Sequence, residues 1–522
     1  MKSCPTCNRV ETDETLAFCR LDGARLVPFD GESATAVLPV GSRSGPGIGR
    51  VTSRVSRPAK AKAIDSIAVL PFENVSNDPN TEYLSDGITE NIINNLSQLP
   101  RLKVMARSTV FRYKGQQQID PQRVGNELRV RAVVTGRVLQ PGDHLTIGIE
   151  LVNVADGAQL WGERYSRKMA DIFALQEEIS AQISANLRLK LTGSQKKRLG
   201  KRHTKNSEAY QLYLKGRYFW NKRTEEDANR GIESFRQALL LDSNFALAYG
   251  GLADCQTLLG DVGVQAMPPK EAFLQGQKSA ARALELDDAL AEAHGTMGHI
   301  SMHLFDWPRA ERELLRALEL NPNYAQACVW HAYYLAFTGH MGDSVAAINR
   351  ALQLDPLSLP VNTSAAELLY FAGRLDKSID QFHRSLELDP YKTVAHLELG
   401  RVYEHRQMYD AAIVEFSKAR ELSHDSPESL ASLAHCYAVS GKINDGLTLL
   451  QSLTELSEHR YVSPFDLALI HGALGQKEAT FEWLNRAYEI HDGWMIYITV
   501  DPRWNSLRGD NRFAEIVQHV GL

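Results

Sequence analysis

The alternation of hydrophobic and polar positions changes period near residue 200, and the two sides predict different architectures. Ser66 to Phe72 is a short apolar run that predicts a buried strand, and an amphipathic helical stretch carrying Asp86-Gly87 extends to about Leu99. A strand is predicted at Leu102 to Ala106. Val130 to Leu139 and His144 to Val154 alternate on either side of Gln140-Pro-Gly-Asp143, which predicts a hairpin. Gln159 to Tyr165 adds a strand, and Ile172, Leu175, Ile179, Ile183 and Leu187 recur at helical spacing within Asp171 to Leu191. Residues 64–192 therefore predict an α/β domain.

From Ser207 onward the strand signal gives way to an internal repeat. The residue before each L-x-L-[DN] or related ending is Ala283, Ala317, Ala351, Ser385, Ala419, Leu453 and Ala487, each 34 after the last. An earlier member, Ala238, lies 45 before Ala283, and the excess of 11 maps onto the loop around Gly260 to Pro269. Each unit reads as two amphipathic helices. Small residues (Gly298, Ala310 and Ala317; Gly400, Ala412 and Ala419) permit close approach, and Leu314, Tyr403 and Phe416 fill between. Pro322, Pro356 and Pro390 stand just past the second helix, where a missing N–H and a fixed φ stop it.

Period, small-residue positions and terminal proline together resemble the tetratricopeptide repeat, in about eight units over residues 208–494. Val500 to Phe513 departs from the pattern and reads as the solvating end that a solenoid requires, within a C-terminal cap of residues 495–522. The block at 64–192 is similar to the TolB amino-terminal-like domain of bacterial signalling proteins. The similarity lies in SIAVLPFENVSNDPNTEYLSDGITENIINNLSQLP (66–100), ARSTVFRYKG (106–115), VVTGRV (133–138) and LWGERYSR (160–167). It implies a domain coupled to such repeats and often to a kinase, cyclase or winged-helix effector. None of these is read here: the 63 residues before the block are too few for a kinase or cyclase, and no kinase Lys, H-R-D or D-F-G occurs in the rest.

At the N-terminus, Cys4-Pro-Thr-Cys7, eleven residues and Cys19-Arg-Leu-Asp22 resemble a short zinc ribbon over residues 1–29. The resemblance implies a structural Zn²⁺ held by Cys4, Cys7, Cys19 and Asp22. Asp22 departs from the usual ligand set, so either it completes the site, a partner supplies the ligand, or the ribbon is degenerate. Residues 30–63 carry Arg43, Arg50, Arg54, Arg57, Lys60 and Lys62 without an acid beyond Glu32, and read as a basic flexible linker. Residues 193–207 form a second basic linker.

Composition adds limits. The chain of 522 residues exceeds what one core supports, and 43% hydrophobic with 23% charged residues excludes disorder throughout. A formal charge of -5 excludes a surface that is everywhere a magnet for nucleic acid or membrane. No apolar run reaches the length of a membrane span and no signal peptide is read, which gives a cytoplasmic location as the default. Cys255, Cys328 and Cys436 stand alone in helical sequence, so no disulfide framework is predicted.

Candidate chemistry is sparse. Asp86-Gly87 and Glu163-Arg164 read as capping, turn geometry and surface pairing. His299 and His303 are four apart, a spacing that can hold a metal, but HExxH is absent and no carboxylate partner is indicated, so they read as structural or peptide-contacting. No nucleophile elbow, acid/base carboxylate pair or Cys-His constellation is found, which predicts a protein that is not an enzyme. The tetratricopeptide resemblance places a partner groove along the first helices. Carried across, its positions are His299, His303, Tyr333, Phe337, Glu367, Tyr370, Phe371, Arg401, Glu404 and His435, suited to a peptide with apolar anchors and a charged group.

The expected architecture is multidomain: a short zinc ribbon, an α/β TolB-like domain and an all-α tetratricopeptide superhelix. The expected function is a non-catalytic scaffold or regulatory adaptor in bacterial signalling that binds a protein or peptide. An intramolecular contact between the repeats and the TolB-like domain belongs to the same reading. The alternative is a nucleic-acid-associated transcriptional regulator that uses the ribbon and the basic linker.

Overall fold

The computed structural model describes residues 64–522 apart from 77, 117–118, 188, 190, 194, 196–200, 202, 262–263 and 265. Within 1–63 it describes only the backbone of three short strands. Two compact units result, Met1–Ile64 and Asp65–Leu522. In the first, β1 (Lys2–Ser3) pairs antiparallel with both β2 (Val10–Glu11) and β3 (Val27–Pro28). Cys4, Cys7, Cys19 and Asp22 lie outside the described residues.

The second unit opens with a mixed sheet of β4 (Ser66–Val69), β5 (Glu73–Asn74), β6 (Lys103–Val104), β7 (Ala132–Leu139), β8 (His144–Asn153) and β9 (Gln159–Lys168). The order is β6-β4-β7-β8-β9, with β5 also on β7. β4 lies parallel to both neighbours and is buried along its whole length, which is why SIAV carries no alternation. The predicted hairpin is β7 and β8. The helices are α1 (Glu82–Ser97), α2 (Arg107–Val110), α3 (Pro121–Glu127) and α4 (Ile172–Asn186). Leu84, Ile88, Ile92 and Leu96 form a fully buried stripe on α1. Asp86, Thr89 and Glu90 are buried as well.

Among the described residues, eight helical hairpins follow. The first four pair α5 (Ser207–Trp220) with α6 (Glu225–Leu241), α7 (Ala246–Gly260) with α8 (Pro269–Leu286), α9 (Ala291–His303) with α10 (Trp307–Leu320), and α11 (Ala325–Phe337) with α12 (Met341–Leu354). The others pair α13 (Leu359–Phe371) with α14 (Leu375–Leu388), α15 (Thr393–His405) with α16 (Tyr409–Leu422), α17 (Pro427–Val439) with α18 (Ile443–Leu456), and α19 (Pro464–Ala473) with α20 (Lys477–Glu489). The positions that mark the period, from Ala283 to Ala487, are all 0% exposed. Each intra-hairpin turn from the third unit on has a left-handed residue at the same register: Phe305, Gly339, Gly373, Gln407, Gly441 and Gly475. Four of the six are glycine, the residue that adopts positive φ without strain.

The L-x-L-[DN] ending does more than stop the second helix. Its Asp or Asn holds the chain that precedes the repeats: Thr204 Oγ1 donates to Asp242 (2.5 Å), Lys201 Nζ lies 2.5 Å from Asp287, and Asn321 Nδ2 donates to Ser97 Oγ (2.9 Å). Ser108 and Thr109 both donate to Asp355, and Ala106 N donates to Leu354 O (3.0 Å). The α/β block therefore lies along the edge of the array where second helices end. At its other contact, Gly87 of α1 lets Leu214 of α5 approach so closely that a Cβ would stand 2.8 Å from Leu214 Cδ2.

A second recurrent device joins first to second helices. His294 Nδ1 meets Glu313 Oε2 at 2.7 Å and its Nε2 meets Asp288 O at 3.0 Å. His396 repeats this with Glu415 (2.6 Å) and Pro390 O (3.0 Å), and Asn362 does so with Gln381 and Pro356 O. Both nitrogens of each imidazole face acceptors, so the ring satisfies both only as the cation. The bond to Glu415 accordingly raises the His396 pKa; at His294 burial opposes the charge, but Glu313 and Asp288 together outweigh it. A raised folded pKa gives stability that is present below the unfolded value of about 6.5 and is lost as pH rises through the folded value. Urea midpoints should thus show wild type ahead of His396→Asn at about pH 6, with the gap closing at alkaline pH. A gap independent of pH refutes the paired-cation clasp.

At the C-terminal end Asn505, Ser506, Arg508 and Asn511 stay exposed while an apolar face turns into the array. Trp494, Met495, Ile496, Ile498, Trp504 and Leu507 are all buried, as is the apolar face of α21 (Asn511–Val520). Val520 O accepts from Trp307 Nε1 (2.7 Å), so the last helix returns to the third hairpin. Without periodicity, these apolar residues gave no sign of a long-range partner. Among the described residues no helix is long and apolar enough to cross a membrane.

Candidate functional site: the concave face and its cover

The 34-residue register places His299, Tyr333, Glu367, Arg401 and His435 at one position of successive first helices, with His303, Phe337 and Phe371 one turn on. Tyr370 and Glu404 stand beside them. The structure brings these residues together along one face and covers it with the chain's own residues 491–508. His303, Phe337, Glu367, Tyr370, Arg401, Glu404 and His435 are buried; His299, Tyr333 and Phe371 are half-buried. The ring of Tyr497 lies 4.8 Å from Phe337, 5.9 Å from Phe371 and 6.1 Å from Tyr333. Arg401 sits over Trp494 at 4.6 Å, His491 Nδ1 donates to His303 O (3.1 Å), and Thr499 Oγ1 donates to Phe337 O (3.2 Å).

Polar bonds run along the row. Tyr333 donates to Glu367, Arg401 pairs with Glu398 on its own helix and lies 3.4 Å from Glu428 on the next, and Glu404 lies 3.0 Å from His435. The cover brings its own buried pair, Asp501 with Arg503 (2.7 Å). Carboxylates outnumber cations in this interior. Burial pushes Glu367 up to about 8, with the Glu398 charge adding to it. Glu428 and Asp466 are each pushed up to about 7, again by burial, although Arg401 opposes it. Arg401 and Arg503 stay charged: burial opposes it, but Glu398, Glu428 and Asp466 together outweigh it at Arg401, and the charge and hydrogen bonds of Asp501 lead the opposition at Arg503.

Two clefts remain between first helices and cover. One of about 410 Å³ is lined by Phe337, Tyr370, Phe371, His405, Pro502 and Arg508, and one of about 250 Å³ by Glu404, His435, Arg503 and Trp504 among others. Glu398, Glu428, Asp466 and the whole cover were missed in the sequence. The acids had the alternation of solvated positions, and only the 34-residue register, extended to every first-helix residue, could have flagged them.

The α/β block contributes a second polar centre. Glu90 accepts from Arg217 Nε (3.0 Å) and Nη2 (2.8 Å) and from Asn221 Nδ2 (2.9 Å), while Arg107 Nε lies 3.0 Å away. Arg217 also bonds Asp254 (2.9 Å). Asp86 is not the cap or surface residue that was expected: it is 4% exposed and bonded by Lys114 at 2.6 and 2.7 Å. An open cleft of about 1400 Å³ on this block is lined by Phe72, Glu73, Lys114, Arg137, Glu163 and Arg164 among others.

Comparisons with known proteins fall on parts of the chain. Residues 62–182 match the profile of the HilA/YgeH-like transcriptional regulator, second domain, where the sequence resemblance pointed to a TolB-like domain. A Rhizobium meliloti (strain 1021) protein named putative adenylate cyclase 3 is 38% identical over 199 residues, 38% of this chain and 33% of that protein. The chain thus spans about a third of that relative's length. Among solved structures, YrrB, described as a TPR protein with an unusual peptide-binding site, is 21% identical with a TM-score of 0.27, over 38% of this chain and 97% of its own. Pseudomonas aeruginosa PilF is 16% identical (TM-score 0.32; 44% and 96% covered), and TTC0263 of Thermus thermophilus 17% (0.32; 37% and 98%).

The cyclase-named relative corrects one expectation. A protein that is not an enzyme was predicted from the absence of catalytic motifs, and a relative this similar carries an enzyme's name. Motif absence is a weak argument where activity depends on residues scattered through the fold.

Proposed function

We propose that residues 65–522 form a regulatory module that binds a protein segment along the concave face, in a signalling or transcription-control system. The observation that carries this reading is the cover itself. Residues 491–508 lay Tyr497 against Tyr333, Phe337 and Phe371, lay Trp494 against Arg401 and place Arg503 among carboxylates, which is the chemistry a docked peptide would use. The partner is therefore a segment with aromatic anchors and a basic side chain, and it competes with the cover. Names attached to two relatives, a cyclase and a transcriptional regulator, support a place in regulation.

The probe is a labelled peptide with the sequence of residues 491–508, followed by fluorescence anisotropy on the full chain and on Trp494→Ala with Tyr497→Ala. The uncovered variant, checked for native helicity by circular dichroism, should bind the peptide at least about tenfold more tightly than wild type, because the wild-type groove is already occupied. A helical variant that does not bind overturns the reading.

A second reading, a DNA-associated regulator, is favoured by the match of residues 62–182 to a transcriptional-regulator domain. It requires DNA binding by the full chain that weakens steeply as salt rises.

A further inference from the structure

From the geometry at the end of α7 we infer a divalent-metal site formed by Asp261, His299 and His303. One donor atom from each of the three lies within 4.8 Å of the others. The two histidines are one helical turn apart on α9, which puts both imidazoles on the same face. Asp261 follows α7, at the start of the eleven-residue excess that distinguishes this repeat, and its Oδ1 lies 2.9 Å from His299 Nε2. Sequence spacing could not supply this carboxylate, because it stands 38 residues before His299.

The second line of argument is unmet hydrogen-bonding capacity. His303 is 4% exposed, and its Nδ1 has no hydrogen-bond partner; the Nδ1 of His299 is equally without one. Buried ring nitrogens are ordinarily bonded, and one left without a partner calls for a physical reason. Both rings are held in place by stacking, His303 on Phe273 at 4.3 Å and His299 on Trp330 at 4.9 Å, so the donors do not have to be ordered on binding. Two imidazoles and one carboxylate suit Zn²⁺, Co²⁺ or Ni²⁺ and leave at least one coordination position open. Arg223 also bears on Asp261, so the ion binds beside one positive neighbour. Bound there, it fastens the inserted loop to α9, beside the carbonyl of His303 to which the cover is bonded.

The test uses the full chain with Cys4, Cys7 and Cys19 replaced by Ser, which removes the N-terminal thiolates as competing ligands. Calorimetric titration with Zn²⁺ should give one site per chain, and Co²⁺ should give a visible d–d band without thiolate charge transfer. Asp261→Asn and His303→Asn should each weaken binding by about tenfold or more. Asp261→Asn alters a half-exposed residue and keeps the test valid if His303→Asn fails to fold. No stoichiometric site in the folded chain lacking Cys4, Cys7 and Cys19, or a site whose affinity Asp261→Asn leaves unchanged, overturns the inference.

Discussion

Replacing Glu90 by Ala is expected to destabilise the α/β block and its junction with the repeats by about 3–5 kcal/mol, the usual result of leaving buried charges unpaired. Two guanidiniums, Arg217 and Arg107, converge on this one carboxylate from different elements, and Asn221 completes it. Burial alone would raise the Glu90 pKa, but the two arginines outweigh it and the value is lowered. Its contribution is therefore present above the unfolded pKa of about 4.3 and is lost as pH falls through the folded value. Scanning calorimetry of Glu90→Ala at neutral pH should show the block melting ahead of the array, where wild type melts both together. Glu90→Gln keeps the hydrogen-bond acceptor and should lose less. A single unshifted transition in Glu90→Ala would mean that the edge contacts at Asn321 and Asp355 hold the junction without it.

The repeats were legible because their signal is redundant. Ala317, Ala351 and Ala419 recur in register with the terminator that follows them, and each is 0% exposed in the fold. The hairpin of β7 and β8 was legible because alternation and turn chemistry agreed. What escaped were contacts between residues far apart in the chain. Arg217 meets Glu90 across 127 residues, and Trp307 meets Val520 across 213. Nothing local marks such partners: a buried Glu on an amphipathic helix reads as a solvated one until the surface that covers it is known. The ten groove residues do share a face, but His303, Glu367 and Arg401 meet the chain's own C-terminal segment and neighbouring helices where open solvent was expected.

That cover makes the largest pH-dependent effect expected of the array. Arg401 is the cation of the first-helix row, 3% exposed, bound to Glu398 and close to Glu428, with Trp494 laid against it. Glu367, held at about 8, and Glu428 and Asp466, at about 7, face the same interior, as do Asp501 and Arg503 from the cover. A carboxyl whose folded pKa is raised binds its proton more tightly in the native state. Its contribution is therefore full below the unfolded pKa of about 4 and falls as pH rises toward the folded value. Near pH 6 these three acids are largely neutral, so Arg401→Ala should cost mainly its packing and its pairing with Glu398. Above pH 8 wild type ionises them against Arg401, whereas the variant must hold them protonated or ionise them with Arg503 alone, and the loss should grow to about 3–5 kcal/mol. Arg401→Met combined with Glu398→Gln removes both members of the closest pair and should recover part of it. Denaturant midpoints at the two pH values measure the loss, and hydrogen exchange over residues 491–508 shows whether the cover opens as stability falls. If Arg401→Ala costs the same at both pH values, the acids are not ionising against the cover, and the groove is sealed by its aromatic contacts alone.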